Sequence, residues 1–580
     1  MPRQAIRLSL ATLLACAALG QTPVIVISID TLRAGHLSAY GYGAIKTPNI
    51  DAFASQGTIF DAIDAQIPLT LPSHASLFTS IYPFENRIEE NDQRLPAGAV
   101  TLASILRSHG YKTAAFVGSV LMDRSRGLDQ GFDYYDSPFH EATDSRNPFA
   151  AGVRRDGALV LRAARQWLAE NRNQPVFAFI HLFDVHAPYS QTPSPEGLPN
   201  ATGYDAQIAY VDRLLGHFRQ ALIDAGWWDR SLIVLLSDHG ESLGEHGELS
   251  HGYFIYQSTL HVPLIVHWPA GAASGHGARI SQPGGLIDVA PTILDFLKLP
   301  APPTFHGTSL LAGARAIYSE SMYAHDAFGW APLRSLREGA VQYIDAPKPE
   351  LYDLQRDPRE LHNLIGENPQ MARTLRGRLN RLLAQNAASL PASPALASSP
   401  TRRALESLGY LGRGSAAPGP GADPKDRLPE YNLFEKALAA MYSGKMPSAI
   451  VAFGQLLVRD PRNSMARYYL AEAYQRAGQP DNAVREWTNA LKFDPRYVPA
   501  AEALGAWWTE REDYSKARAA FQKAVAVAPD DYAALLGLGI AEEHLGLHAE
   551  ALQHLESACK IAPDAGACQR ELPALRRKAR

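Results

Sequence analysis

The chain has 580 residues, enough for two or three domains, each with its own hydrophobic core. Hydrophobic residues make up 46% of it and charged residues 20%, which is ordinary for a globular protein and argues against global disorder. The formal net charge is only −4. A nucleic-acid-binding surface usually needs a basic surplus, so we predict no nucleic-acid partner.

The first 20 residues have the pattern of a secretory signal peptide. Arg3 and Arg7 precede a mostly apolar run that ends at small residues near Gly20. This run is too short to span a bilayer, and no later run approaches the ~20 apolar residues of a membrane span. Leu13–Cys16 also resembles a bacterial lipobox, in which Cys16 would carry a lipid anchor. We expect an exported protein, periplasmic or extracellular, with either a cleaved signal or a lipoprotein anchor.

The two remaining cysteines, Cys559 and Cys568, lie near the C-terminal end. Their spacing allows a disulfide in an oxidising compartment, and two buried free thiols fit the sequence about equally well. Neither cysteine is near a cluster of histidine and aspartate, so we assign them no catalytic role.

Residues 22–385 have the pattern of one α/β domain. Helical patterns at Thr101–His109 and Ala206–Ala225 alternate with apolar, β-branched runs. These runs, typical of buried parallel strands, are Val24–Ile29, Val176–Ile180, Leu232–Leu236 and Val262–Val266. Ligands of such sheets collect at the carboxyl ends of the strands, where Asp30, His181, Asp238 and His239 fall.

A linker and an internal repeat follow the α/β domain. Residues 386–428 are rich in Ala, Ser, Pro and Gly, with one short helix expected at Thr401–Leu408. Residues 430–580 then contain a repeat with a period of 34 residues. Three positions recur in it: one holds a small residue, one a bulky residue and one a proline. The positions are Ala449, Ala483, Ala517 and Ala551; Phe453, Trp487, Phe521 and Leu555; and Pro461, Pro495, Pro529 and Pro563.

This period resembles tetratricopeptide repeats, in which each unit is a helical hairpin. The resemblance implies an all-α solenoid of four repeats plus a terminal helix. Such a solenoid presents a concave surface to a protein or peptide partner, and a rigid spacer or intramolecular brace is the alternative.

Four residues can supply a metal-activated nucleophile. A hydroxyl is a weak nucleophile at its free pKa, and coordination to a metal activates it. Asp30, Asp238 and His239 are suitable ligands for Zn²⁺ or Mn²⁺, with the hydroxyl of Thr70 as the fourth. We predict a divalent metal site here, favouring Zn²⁺, with Mn²⁺ and Ca²⁺ as alternatives and one ion or two.

Together these segments resemble the alkaline phosphatase/sulfatase superfamily over roughly residues 23–370. Ile29–Arg33 is similar to its first metal-binding segment, Thr70–Ser76 to its nucleophile signature and Ser237–Gly247 to its second metal segment. Asp288–Leu294 and Glu350–Leu354 resemble its C-terminal part. The implied fold is a sulfatase-like or alkaline-phosphatase-like sandwich with a mixed, mostly parallel sheet.

The chain departs from the sulfatase pattern at the residues that serve sulfate chemistry. Sulfatases oxidise a Cys or Ser at the nucleophile position to formylglycine, and the extra methyl group of Thr70 blocks that step. The usual Arg of the signature is His74, and the second Asp of the usual pair is Thr31. The Lys expected twelve residues after His239 is His251.

The remaining pattern is similar to lipid phosphoethanolamine transferases and lipoteichoic acid synthases, which use a metal-bound threonine. The resemblance implies that His186 and His251 bind the transferred phosphoryl group or a second metal, with His181 nearby. Asn91 lies 21 residues after Thr70, where related ester hydrolases place a substrate-contacting Asn. His74 completes the predicted substrate-binding set.

We therefore predict a metal-dependent hydrolase or transferase that acts on phosphate esters through Thr70, with His186 and His251 stabilising the transferred group. A sulfuric ester hydrolase is the first alternative. A catalytically inactive scaffold that presents the repeats is the second.

Overall fold

The structure is a computed structural model that describes most of the chain. It covers residues 22–139, 153–187, 189, 203–272, 277–386 and 421–561, together with 568, 570–573 and 576. The predicted signal peptide and Cys16, most of the predicted linker with its short helix, and Pro563 lie outside these residues. The predicted terminal helix is covered only in part.

Strands and helices are interspersed up to residue 385. The strands are β1 (Val24–Ile29), β2 (Thr58–Asp64), β3 (Lys112–Phe116), β4 (Tyr134–Asp136), β5 (Val176–Leu182), β6 (Leu232–Leu236), β7 (His261–His267), β8 (Ala278–Ile280), β9 (Gly284–Gly285), β10 (Ile317–Ser321), β11 (Leu333–Glu338), β12 (Val341–Asp345) and β13 (Glu350–Asp353). The helices are α1 (Pro48–Ser55), α2 (Thr70–Thr79), α3 (Pro83–Asn86), α4 (Leu102–Ser108), α5 (Gly157–Glu170), α6 (Gly203–Asp224), α7 (Gln257–Leu260), α8 (Val289–Phe296), α9 (Tyr323–Phe328) and α10 (Pro369–Gln385).

The large sheet is mixed and mostly parallel, as predicted. Its strand order is β4-β3-β5-β1-β6-β7-β2-β8, with β9 also paired to β2. Strand β1 lies at the centre and pairs in parallel with β5 and β6, whereas β7 is antiparallel to both β6 and β2. A second sheet is antiparallel, in the order β10-β11-β12-β13.

Helices cover both faces of the large sheet, which explains why the central strands are almost entirely apolar. Side chains alternate between the faces of a strand. Val24 and Val26 of β1 therefore enter one hydrophobic core, and Ile25 and Ile27 enter the other. With both faces buried, the middle of β1 carries no polar residue, and the first one, Ser28, lies near its carboxyl end.

The C-terminal part is all α-helical, as predicted. Its helices are α11 (Leu428–Tyr442), α12 (Met446–Arg459), α13 (Ser464–Arg476), α14 (Pro480–Phe493), α15 (Val498–Thr509), α16 (Tyr514–Val527), α17 (Tyr532–His544) and α18 (His548–Ile561). Consecutive helices pack as hairpins. The repeated alanines lie fully buried in the second helix of each hairpin, because only a small side chain fits where two helices approach closely.

Two connections fix the ends of this helical array. The hydrophobic core of the α/β domain runs without a break into the first hairpins, through residues such as Tyr253, Trp330, Tyr431 and Phe434. At the far end Cys559 is disulfide-bonded to Cys568, so the structure selects the disulfide from the two alternatives that the sequence left open. Among the residues that the structure covers, there is no helix with the length and apolar character needed to cross a bilayer.

Candidate active site

The candidate site lies at the carboxyl edge of the central parallel strands. Asp30 directly follows β1, and its backbone N–H donates to Leu182 O at the end of β5, at 2.9 Å. Asp238 lies two residues after β6, and its Oδ1 accepts from the N–H of Thr31 at 3.2 Å. Strands β5 and β6 both pair in parallel with β1. They therefore bring His181 and Asp238, which are 151 and 208 positions from Asp30 in the chain, into one cluster with it.

Thr70 is the first residue of helix α2, which points its N-terminus at this cluster. The Thr70 side chain is fully buried, and its Oγ1 lies 3.4 Å from His239 Nε2. Ser73, one turn later, donates from its hydroxyl to the carbonyl oxygen of Asp238 at 2.7 Å. The helix N-terminus carries a partial positive charge, which favours a negatively charged group at Thr70.

The donor set fits a divalent cation. Asp30 Oδ1 and Asp238 Oδ2 are buried without a hydrogen-bond partner. The Nδ1–H of His239 donates to Gly240 O at 2.9 Å, which leaves Nε2 facing Thr70 with a free lone pair. Asp30, Asp238 and His239 form one of the two clusters that could hold a metal ion among the residues that the structure covers. Second-layer bonds that orient ligands in this way are typical of metal sites.

The raised pKa values of Asp30 and Asp238 also indicate a site for a cation. Burial raises the pKa of Asp30 to about 7, although the charge of His251 opposes the shift. Burial, followed by the charge of Asp30, raises the pKa of Asp238 well above its usual value. Two neighbouring carboxylates away from water are costly in the ionised form, and a bound divalent ion removes that cost.

His74 and His181 lie in a layer behind Thr70 and Asp30. The Nδ1–H of His74 donates to Thr70 O at 2.7 Å, and its Nε2 lies 2.9 Å from Ser28 Oγ. His181 Nε2 lies 3.1 Å from Asp30 Oδ2. Both rings are fully buried, and burial lowers the pKa of each. With Asp238 they form the second cluster with ion-binding geometry. These contacts suit residues that orient Thr70 and Asp30.

His186 and His251 come together beside His239. The His251 ring centroid lies 4.5 Å from that of His239 and 5.1 Å from that of His186. The Nδ1–H of His251 donates to Glu241 Oε1 at 3.0 Å. Burial lowers the pKa of His251, but the charge and hydrogen bond of Glu241, together with the charges of Asp30 and Asp238, outweigh this, so its pKa lies above the usual value. Burial holds the pKa of His186 well below its usual value.

Asn91 supports the first turn of α2, which carries Thr70. Its Oδ1 accepts from the backbone N–H of Leu71 at 2.8 Å, and its Nδ2 is buried without a partner. The predicted site residues, Asp30, Thr70, His74, Asn91, His181, His186, Asp238, His239 and His251, are therefore all brought into one region.

Three residues of this region were not singled out from the sequence. Glu241 holds His251, and it also accepts from the Tyr189 hydroxyl at 3.0 Å. Arg154 donates to the carbonyl oxygens of His186 and Ala187 at 2.6 and 3.0 Å and so holds the turn that carries His186. Ser28 contacts His74. Only Glu241 had a sequence signal, its position two residues after His239.

Thr31 occupies a strained backbone position next to Asp30. Its φ is +59°, in the left-handed region that non-glycine residues rarely adopt. This conformation turns the Thr31 N–H toward Asp238 and links the segments that carry Asp30 and Asp238. Strain of this kind is commonly found at functional sites.

Family models match almost all of the covered chain. A model described as Sulfatase matches residues 22–299, and one described as N-sulphoglucosamine sulphohydrolase, C-terminal, matches residues 244–387. A model described as Tetratricopeptide repeat matches residues 434–498 and 510–566.

Curated proteins with related sequences carry the names of sulfatases. The chain is 24% identical to an ulvan-active sulfatase of Formosa agariphila, over 62% of this chain and 81% of the relative. It is 26% identical to a choline-sulfatase of Rhizobium meliloti, over 60% and 83%, and 23% identical to arylsulfatase K of Xenopus laevis, over 59% and 78%.

Solved structures share the fold of the α/β domain. A protein crystallised with its substrate D-glucosamine-2-N,6-O-disulfate aligns with a TM-score of 0.55 at 21% identity, over 63% of this chain and 98% of that one. The phosphonate monoester hydrolase of Agrobacterium radiobacter aligns with a TM-score of 0.54 at 24% identity, over 63% and 96%. With its sulfatase-family hydrolase domain and its C-terminal tetratricopeptide repeats, the chain belongs to the alkaline phosphatase/sulfatase superfamily.

Proposed function

We propose that the α/β domain is a metal-dependent hydrolase of sulfuric esters that uses Thr70 as its nucleophile. The observation that carries the proposal is the convergence of Asp30, Asp238 and His239 around the Thr70 hydroxyl. The names of the curated relatives support sulfate as the acid of the ester, and they support it better than the phosphate predicted from residue 70.

Each residue of the site has a role in this reaction. A divalent ion held by Asp30, Asp238 and His239 would lower the pKa of the Thr70 hydroxyl. The Thr70 hydroxyl gives up its proton to solvent, its Oγ1 bonds to sulfur, and the bond from sulfur to the ester oxygen breaks. His251, whose protonated form is favoured by its hydrogen bond to Glu241, gives its proton to the departing alkoxide. Water then attacks the sulfur: one of its protons goes to His251, the other stays on the hydrogen sulfate that leaves, and Thr70 is released as the alkoxide. His186 is neutral, because burial holds its pKa well below the usual value, and its Nδ1–H donates to Ala187 O at 2.7 Å. Its Nε2 is therefore an acceptor, which suits a metal ion better than the sulfuryl oxygens.

The second candidate is hydrolysis or transfer of a phosphoryl group, and the identity of residue 70 favours it. Formylglycine has a second hydroxyl in its hydrate, and Thr70 has only one, so the adduct on Thr70 leaves only when a second nucleophile attacks the central atom. A phosphothreonine accepts such an attack by water or an alcohol more readily than a sulfo-threonine does. The same residues would then serve phosphorus in place of sulfur.

One set of assays separates these candidates from a catalytically inactive scaffold. The full-length protein, loaded in turn with Zn²⁺, Mn²⁺ or Ca²⁺, is offered aryl sulfates and aryl phosphate mono- and diesters. We expect Thr70→Ala to lower turnover roughly 10³-fold or more, as expected for loss of a nucleophile. Thr70→Ser should retain activity. Thr79→Val is the matched control, because the Thr79 hydroxyl bonds only within α2, to Ala75 O.

The covalent adduct on Thr70 shows whether the ester that reacts is a sulfate or a phosphate. Brief reaction with ³⁵S- or ³²P-labelled ester, followed by acid quenching, should leave label on the Thr70 peptide. Sulfur label supports the first candidate and phosphorus label the second. Activity that survives Thr70→Ala overturns the role of Thr70, and a wild-type protein inactive on every ester with every ion overturns both candidates in favour of the scaffold.

Export and partner binding are part of the same proposal. The disulfide between Cys559 and Cys568 supports an oxidising compartment outside the cytoplasm. The tetratricopeptide repeats support a protein or peptide partner. Fractionation of cells that express the chain tests the first point, since protein found only in the cytoplasm contradicts it. Cross-linking through the repeats tests the second.

A further inference from the structure

The loop between β6 and α7 carries His251 and is folded around a buried carboxylate. Glu248 Oε1 accepts from the backbone N–H groups of Tyr253 at 2.9 Å and Phe254 at 3.3 Å, and Glu248 is only 1% exposed. These bonds tie the residues before His251 to those just after it. The place of His251 in the site therefore depends on how the loop as a whole, residues 247–256, is held.

The first repeat helix holds this loop at two points. The ring of Tyr431 in α11 stacks on that of Tyr253, with centroids 4.1 Å apart and planes 10° from parallel. Asn432, the next residue, donates from Nδ2 to Gly247 O at 3.1 Å. The two contacts fall on either side of His251, four residues before it and two after it.

The short turn before α11 and the first residue of the helix add further contacts. The Tyr253 hydroxyl donates to Pro424 O at 2.7 Å. Leu428 approaches Gly247 so closely that a Cβ on this glycine would lie 2.5 Å from Leu428 Cδ2. Tyr431 and Tyr253 are 2% and 0% exposed, so their stacked faces exclude water.

The helix is itself anchored to the α/β domain. Phe328 of α9 packs edge-to-face against Tyr431 and Phe434, with centroid distances of 6.3 and 5.4 Å. One turn after Tyr431 lies Glu435, whose pKa burial raises to about 7 while the charge of His251 opposes the shift. The first repeat helix thus reaches the electrostatic neighbourhood of His251.

We propose that α11 is part of the catalytic architecture, with Tyr431 as a positioning residue that holds loop 247–256 and thereby His251. The inference rests on the proposed function, because it assigns His251 a role in the reaction. Placement matters because a displacement of about 1 Å at a reacting group can cost about 10²-fold in rate. The repeat array is then more than a tethered binding module, since its first helix completes the support of the site.

The test uses full-length, metal-loaded protein and three substitutions. Tyr431→Ala removes the stacked ring, and we expect kcat to fall about 10-fold to 100-fold with little change in KM. Tyr431→Phe keeps the ring and should restore turnover to near the wild-type value. The control is Tyr532→Ala in α17, which removes a buried tyrosine ring from the far end of the array. It should leave turnover unchanged.

Hydrogen exchange gives a readout that does not depend on activity. In Tyr431→Ala the amides of residues 247–256 should exchange faster, and in Tyr532→Ala they should not. Should Tyr431→Ala fail to fold, Asn432→Ala, which breaks only the bond to Gly247, should raise the same exchange and lower kcat a few-fold.

Unchanged exchange in a folded Tyr431→Ala overturns the inference. So does faster exchange with unchanged kcat, because the loop would then move without consequence for the reaction. If the wild-type protein hydrolyses no ester, the proposed function fails on that result alone. The catalytic part of the inference fails with it, and exchange still decides whether α11 holds the loop.

Discussion

Asp30 and Asp238 show at the level of single residues how much of the site depends on burial. Each carboxylate has one oxygen held by neighbouring groups and one oxygen without a partner. Burial raises the pKa of both groups, so the arrangement is unfavourable for the ionised form unless a cation is bound. The residues that would activate Thr70 therefore also destabilise the metal-free fold.

This cost gives the metal-stripped protein a defined pH dependence. A carboxyl group whose folded pKa is raised destabilises the folded state progressively between its unfolded pKa, roughly 3.9 for Asp, and its folded value, about 7 for Asp30. We expect the melting temperature of the EDTA-treated protein to fall as the pH rises from 5 to 7. Addition of Zn²⁺ should raise it most at the upper end.

Asp30→Asn is the control for the pH effect, since an amide does not titrate. Its metal-free form should show a flatter pH profile and its response to Zn²⁺ should be smaller. A wild-type melting temperature that rises steadily over this range without metal would contradict the electrostatic account.

At the scale of secondary structure, strand ends and helix packing follow from the sequence in different ways. The runs Val24–Ile29 and Leu232–Leu236 match β1 and β6 residue for residue, because a strand buried on both faces stops where its apolar run stops. The predicted Ala206–Ala225 helix begins earlier, at Gly203, and ends at Asp224. Helix ends are set by local capping contacts, which the apolar pattern does not encode.

The repeated alanines make a prediction about helix packing. Ala551 in α18 is fully buried where its hairpin closes, whereas Ala549 in the same helix is exposed. Ala551→Leu should lower the stability of the repeat array by about 1–3 kcal/mol, because extra methyl groups force the helices apart. Ala549→Leu is the matched control, because it makes the same substitution at an exposed position, where no neighbouring helix is displaced. Thermal unfolding of the two variants measures the difference, and equal stabilities would contradict the packing argument.

At the scale of the whole molecule, the α/β domain and the first repeats share one hydrophobic core, and the last repeat is closed by a disulfide. We therefore expect the two ends of the array to respond differently to a change. Disturbance at α11 should reach the active site. Disturbance at α18 should stay within the distal repeats, because each repeat contacts mainly its neighbours.

Removal of the disulfide tests this difference. The bridge closes a short loop, with a sequence separation of 9, and such a cross-link typically stabilises by about 2–4 kcal/mol. Cys559→Ser should lower the temperature at which the distal repeats unfold and leave ester hydrolysis unchanged. Proteolysis monitored by mass spectrometry should locate the first cuts beyond residue 530. Cuts that appear first in the α/β domain would show that the array is coupled from end to end.

The sequence by itself determined the sheet class, the repeat period and the residues that gather at the carboxyl edge of the sheet. Periodicity and motif order carry that information, because strand ends and repeat phases are local properties of the chain. The tertiary structure decided the pairing of Glu241 with His251, the place of His74 between Ser28 and Thr70, and the stacking of Tyr431 on Tyr253. These contacts join residues that are far apart in the chain or whose orientation depends on packing, and no local pattern records which side chains will meet when the strands and helices assemble.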